Sequence, residues 1–294
     1  MRAFSLLAGL ALGGAAFGWW ITGPDPLPAA SFDALTGDVA RGELVFTAAG
    51  CASCHMAAEA TGEAELLLVG GQRFPSEFGT FVAPNISPSD AGIGGWSVAD
   101  LGNALMRGVS PEGAHYYPAL PYTSYAKMQP QDVADIHAYI QTLPPSDVES
   151  LPHDIGFPFN IRRSIGGWKL LFLNDDWVLQ GDLTAEETRG REIVEALAHC
   201  AECHTPRNAL GGLDLSRWMA GAPNPSGEGN IPNITPAKLT WSNGEIVSYL
   251  TSGFTPDYDS VGGHMVHVVE NMAKLPDSDR AAVAAYLKKL PAAD

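Results

Sequence analysis

The sequence predicts an all-α protein with two similar domains in tandem and a helical N-terminal anchor, and three observations lead to this prediction. The chain has 294 residues, which is enough for about two domains. The pattern C-x-x-C-H occurs once in each half, and helical patterns with capping signals surround both copies. The first residues form an apolar run long enough for a membrane-spanning helix.

The two C-x-x-C-H motifs contain all four cysteines of the chain, which are Cys51, Cys54, Cys200 and Cys203. This pattern is typical of c-type haem attachment, because two thiols three residues apart lie on one side of a helical turn and can each form a thioether with a porphyrin vinyl group. The histidine that follows can then bind the iron. The sequence therefore predicts two covalently bound haem c groups, with His55 and His204 as iron ligands. A four-cysteine zinc site or a thioredoxin-like motif is the alternative, but a histidine follows both pairs and no βαβ pattern surrounds either.

The composition excludes several classes of protein. Apolar residues make up 46% of the chain, which excludes a disordered polymer, whereas 32 glycines and 22 prolines predict many loops between the helices. The formal net charge of −16 argues against a nucleic-acid partner and against binding to anionic membrane surfaces through basic patches. It favours a basic or neutral protein partner, unless the acidity serves only to keep the protein soluble.

The apolar N-terminal run covers residues 3–21, and Arg2 is the only charged residue before Asp25. At the helical rise this run spans about 28 Å, which is enough to cross a bilayer core. Trp19 and Trp20 suit a membrane interface, and Arg2 on the cytoplasmic side places the rest of the chain in the periplasm. We therefore expect a single-pass protein of the inner membrane. A cleaved signal peptide is the alternative, but its apolar core would be shorter and would end in an A-x-A-like site.

Helical patterns in the first half cover residues 38–49, 97–108 and 131–143. The first of these helices is expected to end at Gly50, directly before the first motif. Ser97 is a candidate N-cap, with Asp100 completing a capping box. Met106 has the spacing of a core residue. The segment 61–91 between these helices is expected to be rich in loops.

The second half repeats the first, feature by feature. The spacing from tryptophan to glycine is identical in the two halves, as expected for two copies of one domain. In chain order, the matching features are Arg41-Gly42 and Arg189-Gly190, Pro84-Asn85-Ile86 and Pro232-Asn233-Ile234, Trp96-Ser97 and Trp241-Ser242, Gly108 with Pro111 and Gly253 with Pro256, and residues 139–144 (YIQTLP) and 286–291 (YLKKLP).

A connector without a counterpart in either half separates the two copies. Its segments 157–161 and 167–173 are too apolar for a free linker, so we expect the connector to pack across both haem domains and to fix their separation. The predicted organisation is a transmembrane anchor at 1–23, a proline-rich spacer at 24–36, a first haem domain at 37–145, the connector at 146–181 and a second haem domain at 182–294.

With these features the chain resembles the class I cytochrome c family. More narrowly, it is similar to the anchored diheme cytochromes related to the cytochrome c subunits of bacterial membrane-bound alcohol and sugar-acid dehydrogenases. The resemblance covers nearly everything after residue 37 and is carried by residues 117–125 (YPALPYTSY), 158–162 (PFNIR) and 200–208 (CAECHTPRN). It implies two tandem class I cytochrome c domains, each with one haem and a distal methionine before its last helix.

The distal ligand of the second haem is expected to be Met265, which lies between Gly253 and Leu275 in the register of the family's distal methionine. Met272 lies too close to the final helix and is expected to pack. His264 and His267 flank Met265 and are the nitrogen alternatives.

The first half departs from the relatives that have methionine in this register. Leu120 stands as far after Gly108 as Met265 stands after Gly253. Met128 falls in the register of Leu275 and is the predicted ligand of the first haem. In the alternative, Met128 belongs only to the core, and the first haem is five-coordinate or is bound by His115, Tyr116 or Lys127. His137 and His153 are expected to be ordinary histidines.

The resemblance implies an electron-transfer subunit that takes single electrons from a periplasmic or membrane-bound dehydrogenase. The acceptor would be a quinone, a soluble cytochrome or an oxidase, and no catalytic group of the protein's own is needed. Two alternatives remain at this stage. One is a diheme enzyme, peroxidase-like or thiosulfate-oxidising, with an open first haem. The other is an anchored adaptor that tethers a dehydrogenase.

Overall fold

Helices are the main regular secondary structure in the computed structural model, which describes residues 2–224, 227 and 229–293. The side chains of residues 2–11 lie outside this description. In chain order the helices are α1 (Arg2–Ile21), α2 (Val39–Ala48), α3 (Cys51–His55), α4 (Val98–Gly102), α5 (Tyr122–Tyr125), α6 (Pro130–Ile140), α7 (Ile165–Phe172), α8 (Ala185–Arg191), α9 (Ala201–His204), α10 (Asn243–Ser252), α11 (Met265–Lys274) and α12 (Asp277–Lys289). Short 3₁₀ turns cover Ala29–Ser31, Gly62–Leu67, Arg162–Ser164 and Leu215–Arg217.

In each half, the helix that leads to the C-x-x-C-H motif crosses the last helix of that half. In the first half α2 crosses α6 at Gly42, where an added Cβ would lie 2.0 Å from the carbonyl oxygen of Asp135. In the second half α8 crosses α12 at Gly190, where an added Cβ would lie 2.0 Å from the carbonyl oxygen of Ala282. These two glycines are the predicted pair, and the close crossing explains why both halves need glycine there.

One extra residue distinguishes the second half from the first. The spacing from Arg189 to Cys200 is longer by this one residue than the spacing from Arg41 to Cys51. A π-helical turn over Glu192–Leu197 continues α8 and takes up the extra residue. A π turn accommodates a single insertion without breaking the helix, so the second motif keeps its place relative to the crossing.

The predicted capping signals are confirmed. The Ser97 hydroxyl accepts the Asp100 amide, and the Asp100 carboxylate accepts the Ser97 amide in return. A π-helical turn over Asn103–Arg107 continues α4 to Gly108, which has the left-handed conformation of a helix end. Met106 is buried, as predicted.

Segment 61–91 is rich in loops, as predicted, but it also contains two short strands and a 3₁₀ turn. Strands β1 (Arg73–Ser76) and β2 (Gly79–Val82) form an antiparallel hairpin, and β3 (Asp154–Ile155) pairs with β2 from the connector. A second hairpin joins β4 (Ala222–Pro223) and β5 (Asn230–Ile231). These strands are two to four residues long, too short to show an alternating pattern in the sequence.

The connector contacts both halves. From α7, the Lys169 ammonium donates hydrogen bonds to the carbonyls of Arg107 and Gly108, both at 2.6 Å, in the first half. The neighbouring Trp168 indole donates to the Leu210 carbonyl of the second half at 2.9 Å. The connector therefore joins the two halves along one side.

The N-terminal run is helical, as α1. Within the part of the chain described above, no helix combines the length and the apolar character that crossing a membrane requires.

Candidate haem attachment sites

Both motif histidines are held in the same way. The His55 imidazole donates from Nδ1 to the Pro84 carbonyl at 2.8 Å, and the His204 imidazole donates from Nδ1 to the Pro232 carbonyl at 2.8 Å. Because a carbonyl can only accept, this bond fixes the proton on Nδ1 and leaves the Nε2 lone pair for a metal. Burial lowers the pKa of both histidines, which favours the neutral form that ligates iron.

A glycine in each half fixes the loop that supplies this carbonyl. The Gly70 amide donates to the His55 carbonyl at 2.6 Å, and an added Cβ on Gly70 would lie 2.5 Å from the Ala83 carbonyl oxygen. In the second half the Gly221 amide donates to the His204 carbonyl at 2.8 Å. Both glycines have positive φ, so a side chain would be both strained and crowded there.

The four cysteines lie in two pairs, one in each motif. Burial raises the pKa of the Cys51 and Cys200 thiols to about 12 and that of Cys54 to about 11. Within the described ranges, no three histidine, cysteine or acidic side chains gather as a metal site would require. In each motif the histidine directly follows the cysteine pair, the arrangement that thioether attachment of one porphyrin requires.

The two attachment segments lie against each other. The Tyr125 hydroxyl donates to the Ala49 carbonyl at 3.0 Å, two residues before Cys51. His199, which precedes Cys200, also forms a hydrogen bond with Ala49, and its ring centroid lies 5.7 Å from that of Tyr125. A further contact is a hydrogen bond of 2.9 Å from the Asn271 amide to the Ser53 hydroxyl. The fold therefore brings the two motifs together across the boundary between the halves.

Comparison with known proteins identifies these sites. The sequence matches the family described as "Cytochrome c" at residues 39–144 and again at residues 187–291. The chain belongs to the cytochrome c family. It is 61% identical to the "Diheme cytochrome c-type" of Cereibacter sphaeroides over 98% of both chains. This confirms the family and two covalently bound haem c groups.

Two further relatives of this cytochrome are longer proteins. The "Fructose dehydrogenase cytochrome subunit" of Gluconobacter japonicus is 35% identical, over 91% of this chain and 55% of the relative. The "Alcohol dehydrogenase (quinone), cytochrome c subunit" of Gluconobacter oxydans is 30% identical, over 94% of this chain and 60% of the relative. The cytochrome thus spans little more than half the length of these subunits.

The cytochrome transfers electrons and is not itself a catalytic subunit. Its bound haems supply one-electron chemistry between ferric and ferrous iron, and the protein supplies position, burial and docking. The two longer relatives are named as cytochrome subunits of dehydrogenases, which agrees with this role.

The distal methionine candidates differ in position and burial. Met128 directly precedes the N-cap of α6 and is buried in the core, and Leu275 has the same position before α12 and the same burial. The shared register predicted for these two residues is therefore seen in the fold. Met265 is the first residue of α11 and is half-buried, whereas Met272 packs in the core. Iron ligation by Met128 and Met265 stays a prediction.

Three of the alternative ligands have protein partners. His115 is buried and donates from Nε2 to the Thr22 carbonyl at 3.0 Å, so this nitrogen carries the proton. Lys127 donates to the Thr123 carbonyl at 2.9 Å. In the second half the His267 ring contacts the Glu270 carboxylate at 2.9 Å. Each of these contacts engages one nitrogen of its side chain, whereas the buried Nδ1 atom of His115 has no hydrogen-bond partner among the described residues.

Two buried ionisable residues, one close to the second motif and one in the connector, were not singled out from the sequence. Glu195, five residues before Cys200, accepts the amides of Val178 and Leu179 at 2.7 and 3.1 Å and the Tyr286 hydroxyl at 2.6 Å. Lys169 lies in the connector, and burial lowers its pKa to about 7. Both bind groups distant in the sequence, so no local pattern could indicate them.

Proposed function

We propose that this cytochrome accepts single electrons from a membrane-bound alcohol or sugar-acid dehydrogenase and passes them through its two haems. A quinone, a soluble cytochrome or an oxidase would be the acceptor. The names of the relatives support the kind of donor. The observation that carries the proposal is the direct contact of the two attachment segments, at Ala49 with Tyr125 and His199. This contact brings the two redox groups together in one relay.

The proposed location is the inner membrane, with the haem domains in the periplasm. Covalent haem is attached outside the cytoplasm in bacteria, and the apolar run at residues 3–21 after Arg2 supports a single-pass anchor. N-terminal sequencing of the mature protein from membranes should begin at Met1 or Arg2. A start near Gly23 would instead identify a cleaved signal peptide.

The donor is testable by substrate-dependent reduction. Membranes of cells that produce the cytochrome together with their membrane-bound dehydrogenases are supplied with alcohols, sugars or sugar acids. The absorption of the haems is then followed over time. We expect one class of substrate to reduce both haems, and membranes without the cytochrome to fail to pass these electrons to the respiratory chain. Reduction of neither haem by any dehydrogenase substrate would contradict the proposal.

A further inference from the structure

The connector contains a basic, apolar segment in an otherwise acidic protein. Residues 155–174 include no aspartate or glutamate, and Arg162 and Arg163 carry positive charge there, although the chain as a whole has a net charge of −16. The net charge argues against attraction to anionic surfaces, but a local segment of this kind can still be attracted to one.

Several large apolar side chains of this segment point into solvent. Phe157 is 81% exposed and Leu171 is 66% exposed. Exposed apolar side chains that are grouped on one surface mark an interaction site, whereas scattered ones need no explanation. We define the connector patch by the exposed residues Phe157, Phe159, Ile161, Leu170, Leu171 and Leu210.

Contacts with neighbouring aromatic residues connect the connector patch to both halves. The ring of Phe159 lies 5.0 Å from that of Phe78 on the β1–β2 hairpin, and Phe78 in turn lies close to the backbone at Gly211. The Trp168 indole binds the carbonyl of Leu210 and packs on Phe172 with centroids 5.0 Å apart. These contacts place the patch beside residues of the first half, the connector and the second half.

The end of α1 is fixed to the same segment. The Arg163 guanidinium stacks over the Trp19 ring at 4.3 Å and also donates to the Trp19 carbonyl. One turn further, Gly166 lies so close to Thr22 that an added Cβ would be 2.0 Å from the Thr22 carbonyl oxygen. Trp20, beside this contact, is 75% exposed. Whatever surface covers the tryptophan end of α1 therefore lies beside the connector.

We infer that the connector patch lies on the anionic surface of a lipid bilayer and orients the two haem domains there. The inference rests on the membrane location proposed above. Exposed tryptophans, an arginine stacked on one of them and an adjoining apolar segment without acidic residues are the features of a segment that lies at the headgroup level. A protein partner would cover the patch equally well, but the fixed contact with the end of α1 favours lipid.

The test places a nitroxide label on the full-length holoprotein in vesicles of phosphatidylglycerol and phosphatidylcholine. Leu171→Cys carries the label within the patch, and Leu151→Cys is the matched control, because Leu151 is a connector leucine of similar exposure (56%) outside the patch. Collision of the label with oxygen, which concentrates in lipid, is compared with collision with a water-soluble nickel chelate. We expect a severalfold higher oxygen-to-nickel ratio at position 171 than at position 151.

Three results would overturn the inference in different ways. Equal, water-like ratios at both positions in vesicle-bound protein would overturn the patch but leave the membrane location intact. Failure of the full-length protein to bind these vesicles would overturn both. A position 171 that is accessible to nickel on vesicles, and protected only when purified dehydrogenase is added, would identify the patch as a protein-binding surface. Substrate-dependent haem reduction is measured separately and can succeed in all three cases.

Discussion

The two haem domains share one design but solve the packing before the motif in opposite ways. In the first domain Phe46, five residues before Cys51, packs on Tyr139 with ring centroids 5.2 Å apart. In the second domain Glu195, five residues before Cys200, accepts a hydrogen bond from the hydroxyl of Tyr286. Both pairs are buried and join the first helix to the last. An apolar contact and a buried polar network can therefore support the same haem attachment segment.

The polar solution in the second domain has an additional effect. The Glu195 carboxylate also accepts the amides of Val178 and Leu179, so it ties the connector to the haem domain. A buried carboxylate is costly unless its oxygens are satisfied, and here three donors surround it. The second domain therefore binds the connector through its own Glu195, whereas the connector binds the first domain through Lys169.

Removal of the thiols of one motif should have the largest effect, because one domain then loses its covalent haem while the other keeps it. We expect Cys51→Ala with Cys54→Ala to leave a protein with one covalent haem, because no other cysteine is available. The mass of the denatured protein should fall by one haem. Cys200→Ala with Cys203→Ala is the matched variant and should also retain one haem. Two covalent haems in either variant would contradict the assignment of the motifs.

The two motifs, the repeat and the helix caps could be predicted because each depends on residues close together in the sequence. Ser97 and Asp100 are three residues apart, and the C-x-x-C-H motif covers five. The Nδ1 bonds of the histidines to Pro84 and Pro232 join residues 29 and 28 positions apart and needed the structure. The repeated Pro-Asn-Ile segments indicated that this region matters, without indicating its partner.

The distal ligands provide the second comparison. If Met128 binds the first iron, Met128→Leu should lower the potential of that haem and open it to carbon monoxide, because loss of the thioether leaves an empty position. Met265→Leu should do the same at the second haem only. Redox titration and carbon monoxide difference spectra distinguish the two haems.

Leu120→Met is the control, since Met128 would already fill the first site. A Met128→Leu protein with unchanged spectra and potentials would show that Met128 is only a core residue. In that case the wild-type first haem should already bind carbon monoxide.

The glycines at the helix crossings should respond alike, which tests how far the two domains are equivalent. Gly42→Ala and Gly190→Ala each place a Cβ 2.0 Å from a backbone carbonyl oxygen, and backbone cannot move aside as a flexible side chain can. We expect each substitution to destabilise its own domain by about 2–3 kcal/mol. Denaturant unfolding followed at each haem measures both. Gly95→Ala is the control, because nothing lies within 4 Å of the Cβ there.

The short sheet and the π turn could not be predicted for a physical reason. Strand β3 pairs with β2 although helices α4, α5 and α6 lie between them in the sequence, and only the folded connector brings the two strands together. The extra residue before Cys200 is visible in the sequence, but a loop, a bulge or a π turn could accommodate it. Packing of the second domain selects the π turn, which carries Glu195 to a buried position.

The smallest expected effect is the difference in stability between removing the tyrosine hydroxyl that binds Glu195 and removing the one on the tyrosine that packs on Phe46. Tyr286→Phe removes the hydroxyl that donates to the buried Glu195 carboxylate at 2.6 Å, and it should destabilise the second domain by about 1–2 kcal/mol. Tyr139→Phe keeps the ring that packs on Phe46, so it should change the stability of the first domain by about 0.5 kcal/mol or less. Unfolding of both variants, followed at the separate haems, measures this difference. Equal losses in the two domains would mean that the hydroxyls, and not the carboxylate, set the stability. Together with the single variant Glu195→Gln, the double variant Glu195→Gln with Tyr286→Phe completes a double-mutant cycle. We expect the two effects on the stability of the second domain to be strongly non-additive.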